Sequence, residues 1–261
     1  MIAVEEVAKH FGGVKAVNGA NLRIKPGTIT GLIGPNGAGK TTLFNLIAGA
    51  FPPTMGKIVL DGYDVTGLRA HQLFERGLLR TFQIAHEFPT LTVRENLMMV
   101  PDKQSGEQLM NTWFHRSSVA MQEKAIRQKA DDVIDFLNLT HIADEQAGNL
   151  SGGQKKLIEL GRTMMVEAKV VLLDEVGAGV NRTLLKDIGD AIIRLNKEFN
   201  YTFCMIEHDM DFISRLCDPI IVMAEGSVLT EGTADEVKSN EAVIEAYLGT
   251  GLKNKPAAGA A

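Results

Sequence analysis

The feature that most constrains this chain is Gly34-Pro35-Asn36-Gly37-Ala38-Gly39-Lys40-Thr41-Thr42, set between an apolar run and a helix-forming segment. It matches G-x-x-x-x-G-K-[ST], a loop that wraps a phosphate between a strand and a helix. Triphosphate oxygens need several convergent donors. Backbone N–H groups supply them only where no side chain blocks approach, and glycine at positions 34, 37 and 39 leaves that approach open. A helix starting near Lys40 turns its positive end toward the same oxygens. The Lys40 ammonium adds a mobile charge for the β- and γ-phosphates, and the Thr41 hydroxyl is a candidate Mg2+ ligand. Asn36 and Thr42 are counted with the phosphate-binding residues.

The context of the loop agrees with that reading. Thr28-Ile29-Thr30-Gly31-Leu32-Ile33 is short and mostly apolar, as a strand buried on both faces should be. Residues 42–48 have helical character, and Gly49 suits a C-terminal cap. Asn21-Leu22-Arg23-Ile24-Lys25 alternates polar and apolar residues like a half-buried strand and stops at Pro26-Gly27. Ile58-Val59-Leu60 followed by Asp61-Gly62 predicts a strand running into a hairpin turn.

From about residue 82 the pattern becomes helical. Met121, Ala125, Ile126, Ala130, Val133, Ile134 and Leu137 recur at helical spacing, with polar residues on the other faces. A second helix begins at Ser151. Strands are predicted over 170–173 and 201–206, with a helix over 184–199 between them. Such alternation implies a mainly parallel sheet. Residues 220–237 read as a closing strand pair with Glu225-Gly226 and Glu231-Gly232 at turns. The expectation is an α/β chain with one domain over 1–250, a helical subdomain over about 82–160 inserted in it, and a flexible tail over 251–261.

Val170-Val171-Leu172-Leu173-Asp174-Glu175 supplies the second half of a phosphate site. A buried strand would deliver Asp174 to the sheet edge near a metal, and Glu175 would follow it near an attacking water. Leu150-Ser151-Gly152-Gly153-Gln154 has two readings. The Ser151 hydroxyl, the Gly153 N–H and a helix N-terminus can face a phosphate. Ser-x-x-Gln is also a capping box, which accounts for Ser151 and Gln154 but not for two adjacent glycines.

Composition sets outer bounds. The 261 residues are 45% hydrophobic and 23% charged, with a formal net charge of −5. That balance gives no global attraction to nucleic acid or anionic lipid. No stretch approaches the ~20 apolar residues that span a bilayer, and residues 1–7 carry Glu5 and Glu6 where a secretory signal would be basic. Cys204 and Cys217 lack metal-type spacing and read as buried thiols.

The Leu150–Gln154 motif, lying between the two phosphate-site motifs, resembles the signature of the ATP-binding cassette (ABC) family, and the resemblance runs to about Gly249. It implies a P-loop NTPase core with a mainly parallel sheet, an N-terminal antiparallel β subdomain and an inserted α-helical subdomain. It implies ATP and Mg2+ as cofactors, with Thr41, Gln83 and Asp174 on the metal and Glu175, His208 and Gln83 in catalysis. Ser151, Gly153 and Gln154 would then contact nucleotide. Phe11, in His10-Phe11-Gly12-Gly13, resembles the aromatic that stacks on adenine, although a core phenylalanine would read the same way. Gln83, in Arg80-Thr81-Phe82-Gln83, resembles the glutamine bridging metal site and helical lobe, and His208 resembles the histidine facing the γ-phosphate.

The chain departs from the family pattern after Glu175. Val176 stands where proline is usual, and Gly177-Ala178-Gly179-Val180-Asn181 ends in Asn181 where aspartate is common. Within the family the chain is most similar to ATPases of branched-chain and other hydrophobic amino-acid importers, through segments such as Ala178-Gly179-Val180-Asn181-Arg182 and Val243-Ile244-Glu245-Ala246-Tyr247-Leu248-Gly249. Urea and amide importers and lipopolysaccharide-type exporters are the alternatives. The length accommodates neither the long coiled-coil insertion nor the two fused cassettes usual in DNA-repair or translation members. The resemblance further implies a homodimer or a heterodimer with a sister ATPase, and transmembrane permease subunits that hold the chain on the inner face of the cell membrane. It also implies an indirect link to a substrate-binding protein and no nucleic-acid partner.

Overall fold

The computed structural model describes residues 1–81, 87–102, 104–107, 113, 116–166 and 168–252, the last four by backbone alone. The chain forms two compact units. The first comprises Met1–Arg80, Lys169–Gly177 and Ile193–Ala261, and the second Thr81–Ala168 and Ala178–Ile192.

The first unit holds two sheets. Strands β1 (Ile2–Phe11), β2 (Val14–Ile24), β4 (Met55–Leu60) and β5 (Tyr63–Asp64) form an antiparallel sheet in the order β2-β1-β4-β5. In β2, Ala20, Leu22 and Ile24 are buried while Asn21 and Arg23 are exposed, the alternation its sequence predicts. Asp61 and Gly62 have φ of 50° and 83° and close the β4–β5 hairpin, with Leu60 opposite Tyr63. Two left-handed residues are what a two-residue hairpin turn demands.

The other sheet has the order β10-β9-β3-β8-β7-β6. Its members are β3 (Ile29–Ile33), β6 (Leu78–Arg80), β7 (Val170–Asp174), β8 (Thr202–Ile206), β9 (Ile220–Ala224) and β10 (Ser227–Gly232). All pairings are parallel except β9–β10. β3, β7 and β8 are buried at every position. Their continuous apolar runs are therefore strands covered on both faces. Helix α1 (Lys40–Ile47) follows β3 and contributes Leu43, Phe44 and Ile47 to a core shared with Val4, Leu22, Ile58, Leu172 and Ile206. Gly49, just past the helix, has φ of 72°, and a Cβ there would lie 2.4 Å from the Leu68 carbonyl oxygen. Only glycine fits the position.

The closing segment differs from its expectation. Glu225 and Gly226 do turn the chain between β9 and β10, but Glu231 and Gly232 lie inside β10. Among the described residues, none beyond Gly232 is strand. A capping box of Thr233 and Glu236 starts a short helix, Ala234–Ser239, and Glu241–Leu252 is helical after it. A threonine followed three residues later by glutamate was the local signal for that helix start.

The second unit is helical: α3 (Val93–Met98), α4 (Arg116–Phe136) and α5 (Gly152–Met165) follow the short α2 (Ala70–Phe74) of the first unit. They converge on Gly161, where an added Cβ would lie 2.8 Å from Leu137, 3.0 Å from Val133 and 3.2 Å from Leu97. Only part of the predicted apolar stripe of α4 is core. Ala130, Val133 and Ile134 are buried, whereas Met121 is 69% exposed. The periodicity located the helix but not the length of the face that is covered. Asn96 is fully buried and saturated. Its amide donates to the carbonyls of Phe88, Leu91 and Thr92, and its oxygen accepts from the Phe88 N–H and from Arg162. Helix α6 (Arg182–Phe199) starts in this unit, with the Asn181 side chain accepting from the Leu184 N–H at 3.0 Å. An asparagine in place of aspartate thus keeps the N-cap.

Candidate functional site

Parallel strands present their C-terminal ends along one sheet edge, and that edge is where open α/β sheets bind ligands. Here Gly34 follows β3, Thr81 follows β6, Glu175 follows β7 and Glu207-His208 follows β8. The Gly34–Lys40 loop is packed against neighbouring backbone. A Cβ on Gly34 would lie 2.1 Å from the Met223 carbonyl oxygen, and one on Gly39 would lie 2.3 Å from that of Ala16. Gly34, Gly37 and Gly39 have φ of 148°, 82° and 95°. Glycine is thus required at 34 and 39 both by conformation and by space, whereas at 37 the space is open. Thr41 is exposed and Thr42 half-buried in the first turn of α1, and Asn36 is exposed at the loop tip.

Lys40 is only 6% exposed, and its ammonium donates to the carbonyls of Gly34 at 2.7 Å and Pro35 at 3.0 Å. Burial pulls it below the ordinary lysine value, while the charges of Glu175 and Asp174 pull it back up. Both carboxylates are therefore close enough to act on this cation. Asp174 is 4% exposed and paired with Arg80 at 2.7 Å, and Arg80 also donates to the Asn45 side chain of α1. Glu175 sits in the left-handed region with φ of 51°. Its N–H donates to the Ile206 carbonyl at 2.9 Å, and its carboxylate lies 3.0 Å from His208 Nε2. Glu175 and His208 are thus brought together.

Phe11 ends β1 and is 49% exposed, which removes the core alternative. It meets Phe51 edge-on at 5.6 Å between ring centres, and the Lys9 ammonium lies over both rings at 5.3 and 4.9 Å. The β1–β2 hairpin carries it within a few residues of Ala16, the residue against Gly39. Gln83 lies outside the described residues. Ser151, Gly153 and Gln154 belong to the second unit. The capping box is present there: the Ser151 N–H and hydroxyl both reach Gln154 Oε1 at 2.9 Å. Gly153 has a packing reason the sequence did not show, since a Cβ would lie 2.6 Å from Leu184. Gly152 has none, with only the Gly179 carbonyl oxygen at 3.9 Å.

Sequence reasoning missed Arg80, Asn45, Glu207 and Tyr247. Burial raises the Tyr247 pKa and the nearby Gly34 N–H lowers it, so the C-terminal helix lies close to the phosphate loop. Each of these depends on which strand or helix lies beside which, and local pattern carries little of that.

A glycine loop at a helix N-terminus, a buried lysine and acidic residues at the adjoining strand ends define a phosphate-loop nucleotide-binding protein. The comparisons narrow the class. The sequence profile described as ABC transporter matches residues 17–178, and one described as Branched-chain amino acid ATP-binding cassette transporter matches residues 227–253. The chain belongs to the ABC transporter family, as an ATP-binding and ATP-hydrolysing subunit homologous to branched-chain amino-acid transport ATPases. It is 39% identical over 251 residues to the probable branched-chain amino acid transport ATP-binding protein LivG of Archaeoglobus fulgidus, covering 95% of each chain. It is 36% identical to BraF, a high-affinity branched-chain amino acid transport ATP-binding protein of Pseudomonas aeruginosa, covering 95% of this chain and 98% of BraF. Among solved structures, an ATP-binding cassette in its ADP conformation matches at 34% identity with a TM-score of 0.81, over 95% of this chain and 98% of that one. A nucleotide-free cassette from an ABC transporter matches at 34% identity with a TM-score of 0.80, over 94% and 98%.

Proposed function

We propose that this chain powers import of branched-chain or other hydrophobic amino acids, with Glu175 as the base for ATP hydrolysis. The contact between Glu175 and His208 at the end of the phosphate-binding edge supports the chemistry most directly. The amino-acid assignment rests on the relatives' names and on the C-terminal profile.

In this reading Phe11 stacks on adenine and the N–H groups of the loop, with Asn36, Lys40, Thr41 and Thr42, hold the triphosphate. A hydroxyl and a carboxylate are oxygen donors of the kind that would suit Mg2+. Thr41 and Asp174 would hold it, with Gln83 assigned there by resemblance. The ion would supply charge neutralisation of the β- and γ-phosphates. Glu175 accepts a proton from water as the water oxygen bonds to the γ-phosphorus. The bond to the β–γ bridging oxygen breaks, and its electron pair leaves with ADP. His208 orients the Glu175 carboxylate and contacts the γ-phosphate. Ser151, Gly153 and Gln154 would act on nucleotide held by a second cassette, so the active species is a homodimer or a heterodimer with a sister ATPase. Permease subunits would place it at the inner membrane face. Among the described residues no helix is long and apolar enough to cross a membrane itself.

Two substitutions test the roles. Glu175→Gln keeps size and hydrogen bonding but removes the base, so turnover should fall by about 10²–10⁴ while ATP still binds and the pair accumulates closed. Asp174→Asn should lose the Mg2+-dependent part of ATP affinity instead. Near-wild-type hydrolysis by Glu175→Gln would exclude it as the base. For the substrate, the chain reconstituted with its permeases and binding protein should hydrolyse ATP faster with leucine than with urea. Stimulation by urea alone would move the assignment to the amide importers.

A further inference from the structure

Glu207 is buried, 6% exposed, and immediately precedes His208. Its carboxylate accepts the Gly177 N–H at 2.7 Å, a bond between residues 30 apart in sequence. Gly177 lies two residues beyond Glu175. We propose that Glu207 is a positioning residue for hydrolysis, holding the loop that carries Glu175 against the loop that carries His208.

Glu175 needs such a restraint. A non-glycine residue in the left-handed region costs roughly 1–3 kcal/mol and persists only where its surroundings hold it. Two hydrogen bonds straddle the strained segment. On one side the Glu175 N–H donates to the Ile206 carbonyl, and on the other the Gly177 N–H donates to Glu207. Between them Val176 is buried. A proline at 176 would lock its own backbone torsion, and valine does not. Stiffness of this loop then depends on contacts to the end of β8 and the residue that follows it. Both anchor points belong to consecutive residues there, Ile206 and Glu207, with His208 next and its ring on the Glu175 carboxylate. Without the Glu207 tether, the segment after Glu175 loses the hydrogen bond that holds its far side. The carboxylate can then leave the geometry that faces water, and displacements of this kind reduce rate far more than binding.

Burial raises the Glu207 pKa, and the neighbouring Glu175 charge raises it further, while the Gly177 and His208 N–H groups lower it. An acidic side chain held in that setting is a costly choice for packing alone. Its acceptor role toward Gly177 does not require the charge, because an amide oxygen can take the same bond.

The inference rests on the reading of Glu175 as the base, and the test separates the two. Full-length Glu207→Ala, Glu207→Met, Glu207→Gln and Glu175→Gln are compared for kcat, ATP affinity and thermal unfolding. Glu207→Ala should lower kcat by about tenfold or more while ATP Kd stays within about twofold. Glu207→Met fills the same space without an acceptor and should match it, which keeps the test valid if the alanine variant does not fold. Glu207→Gln should retain about half of wild-type kcat or more, since its oxygen still accepts the Gly177 N–H. Wild-type kcat in Glu207→Met, a Kd that rises in step with the loss of rate, or a glutamine variant as impaired as methionine would each overturn the proposal. If Glu175→Gln hydrolyses normally, the assignment of the base fails instead.

Discussion

At the scale of single residues, the site depends on side chains kept out of their usual surroundings. Lys40 is buried, and carbonyls of its own loop and two carboxylates offset the cost of burying its ammonium. Phe11 is the opposite case, an apolar ring left 49% exposed and steadied by Phe51 and Lys9. If adenine covers that ring, Phe11→Ala should raise nucleotide Kd by about tenfold, roughly 1.4 kcal/mol. Because the ring contributes little to the core, the thermal midpoint should barely move, and Phe11→Tyr or Phe11→Trp should bind normally. Calorimetric titration with ADP and a melting curve on the same samples decide the matter. A lowered midpoint with unchanged affinity would make the ring structural. Its place beside two glycines was legible in the sequence, but its position at the end of a strand and its exposure were not.

At the scale of elements, the start of α5 carries two functions in the same few residues. Ser151 and Gln154 close a capping box, and Gly153 lets α5 approach Leu184 of α6. These local roles explain three of the four residues without any nucleotide, so mutating them tests the signature only when packing is controlled. Gly153→Ala should force Leu184 aside and cost about 1–3 kcal/mol of stability, less the gain in helix propensity. Adding Leu184→Ala removes the obstructing atoms. Stability should then recover from the clash while ATP-driven pairing remains impaired, because a methyl group still stands where the partner's phosphate would approach. Sedimentation with ATP reads the pairing. Full recovery of pairing in the double variant would reduce Gly153 to a packing residue. Sequence located this helix and its cap through the Ser-x-x-Gln spacing, a purely local signal. It could not show Leu184, which is distant along the chain and arrives through packing.

At the scale of the whole molecule, the chain passes between its two units four times, at 80/81, 168/169, 177/178 and 192/193. The phosphate loop, Asp174, Glu175 and His208 all belong to the first unit. Nucleotide should therefore stabilise that unit by linkage. ADP with Mg2+ at a hundredfold excess over Kd adds about 2.7 kcal/mol. Thermal unfolding should show this shift in wild type, and Lys40→Ala should lose most of it because the phosphates lose their main side-chain charge. An undiminished shift in a folded Lys40→Ala would remove the phosphate-loop assignment.

What the sequence by itself determined was local: the glycine loop and its lysine, the buried apolar strands, the Asp61-Gly62 hairpin, the cap at Ser151 and the family to which these belong. Each follows from the conformational range of a few neighbouring residues or from a hydrophobic period, so a short window contains the information. The tertiary structure alone decided that β7 lies between β6 and β8. That order brings Arg80 to Asp174 across 94 positions, His208 to Glu175 across 33 and Gly177 to Glu207 across 30. Strand order is set by how the whole core packs and which long-range ladders close. A hydrogen bond between distant residues is consequently absent from every local pattern that predicts the strands themselves.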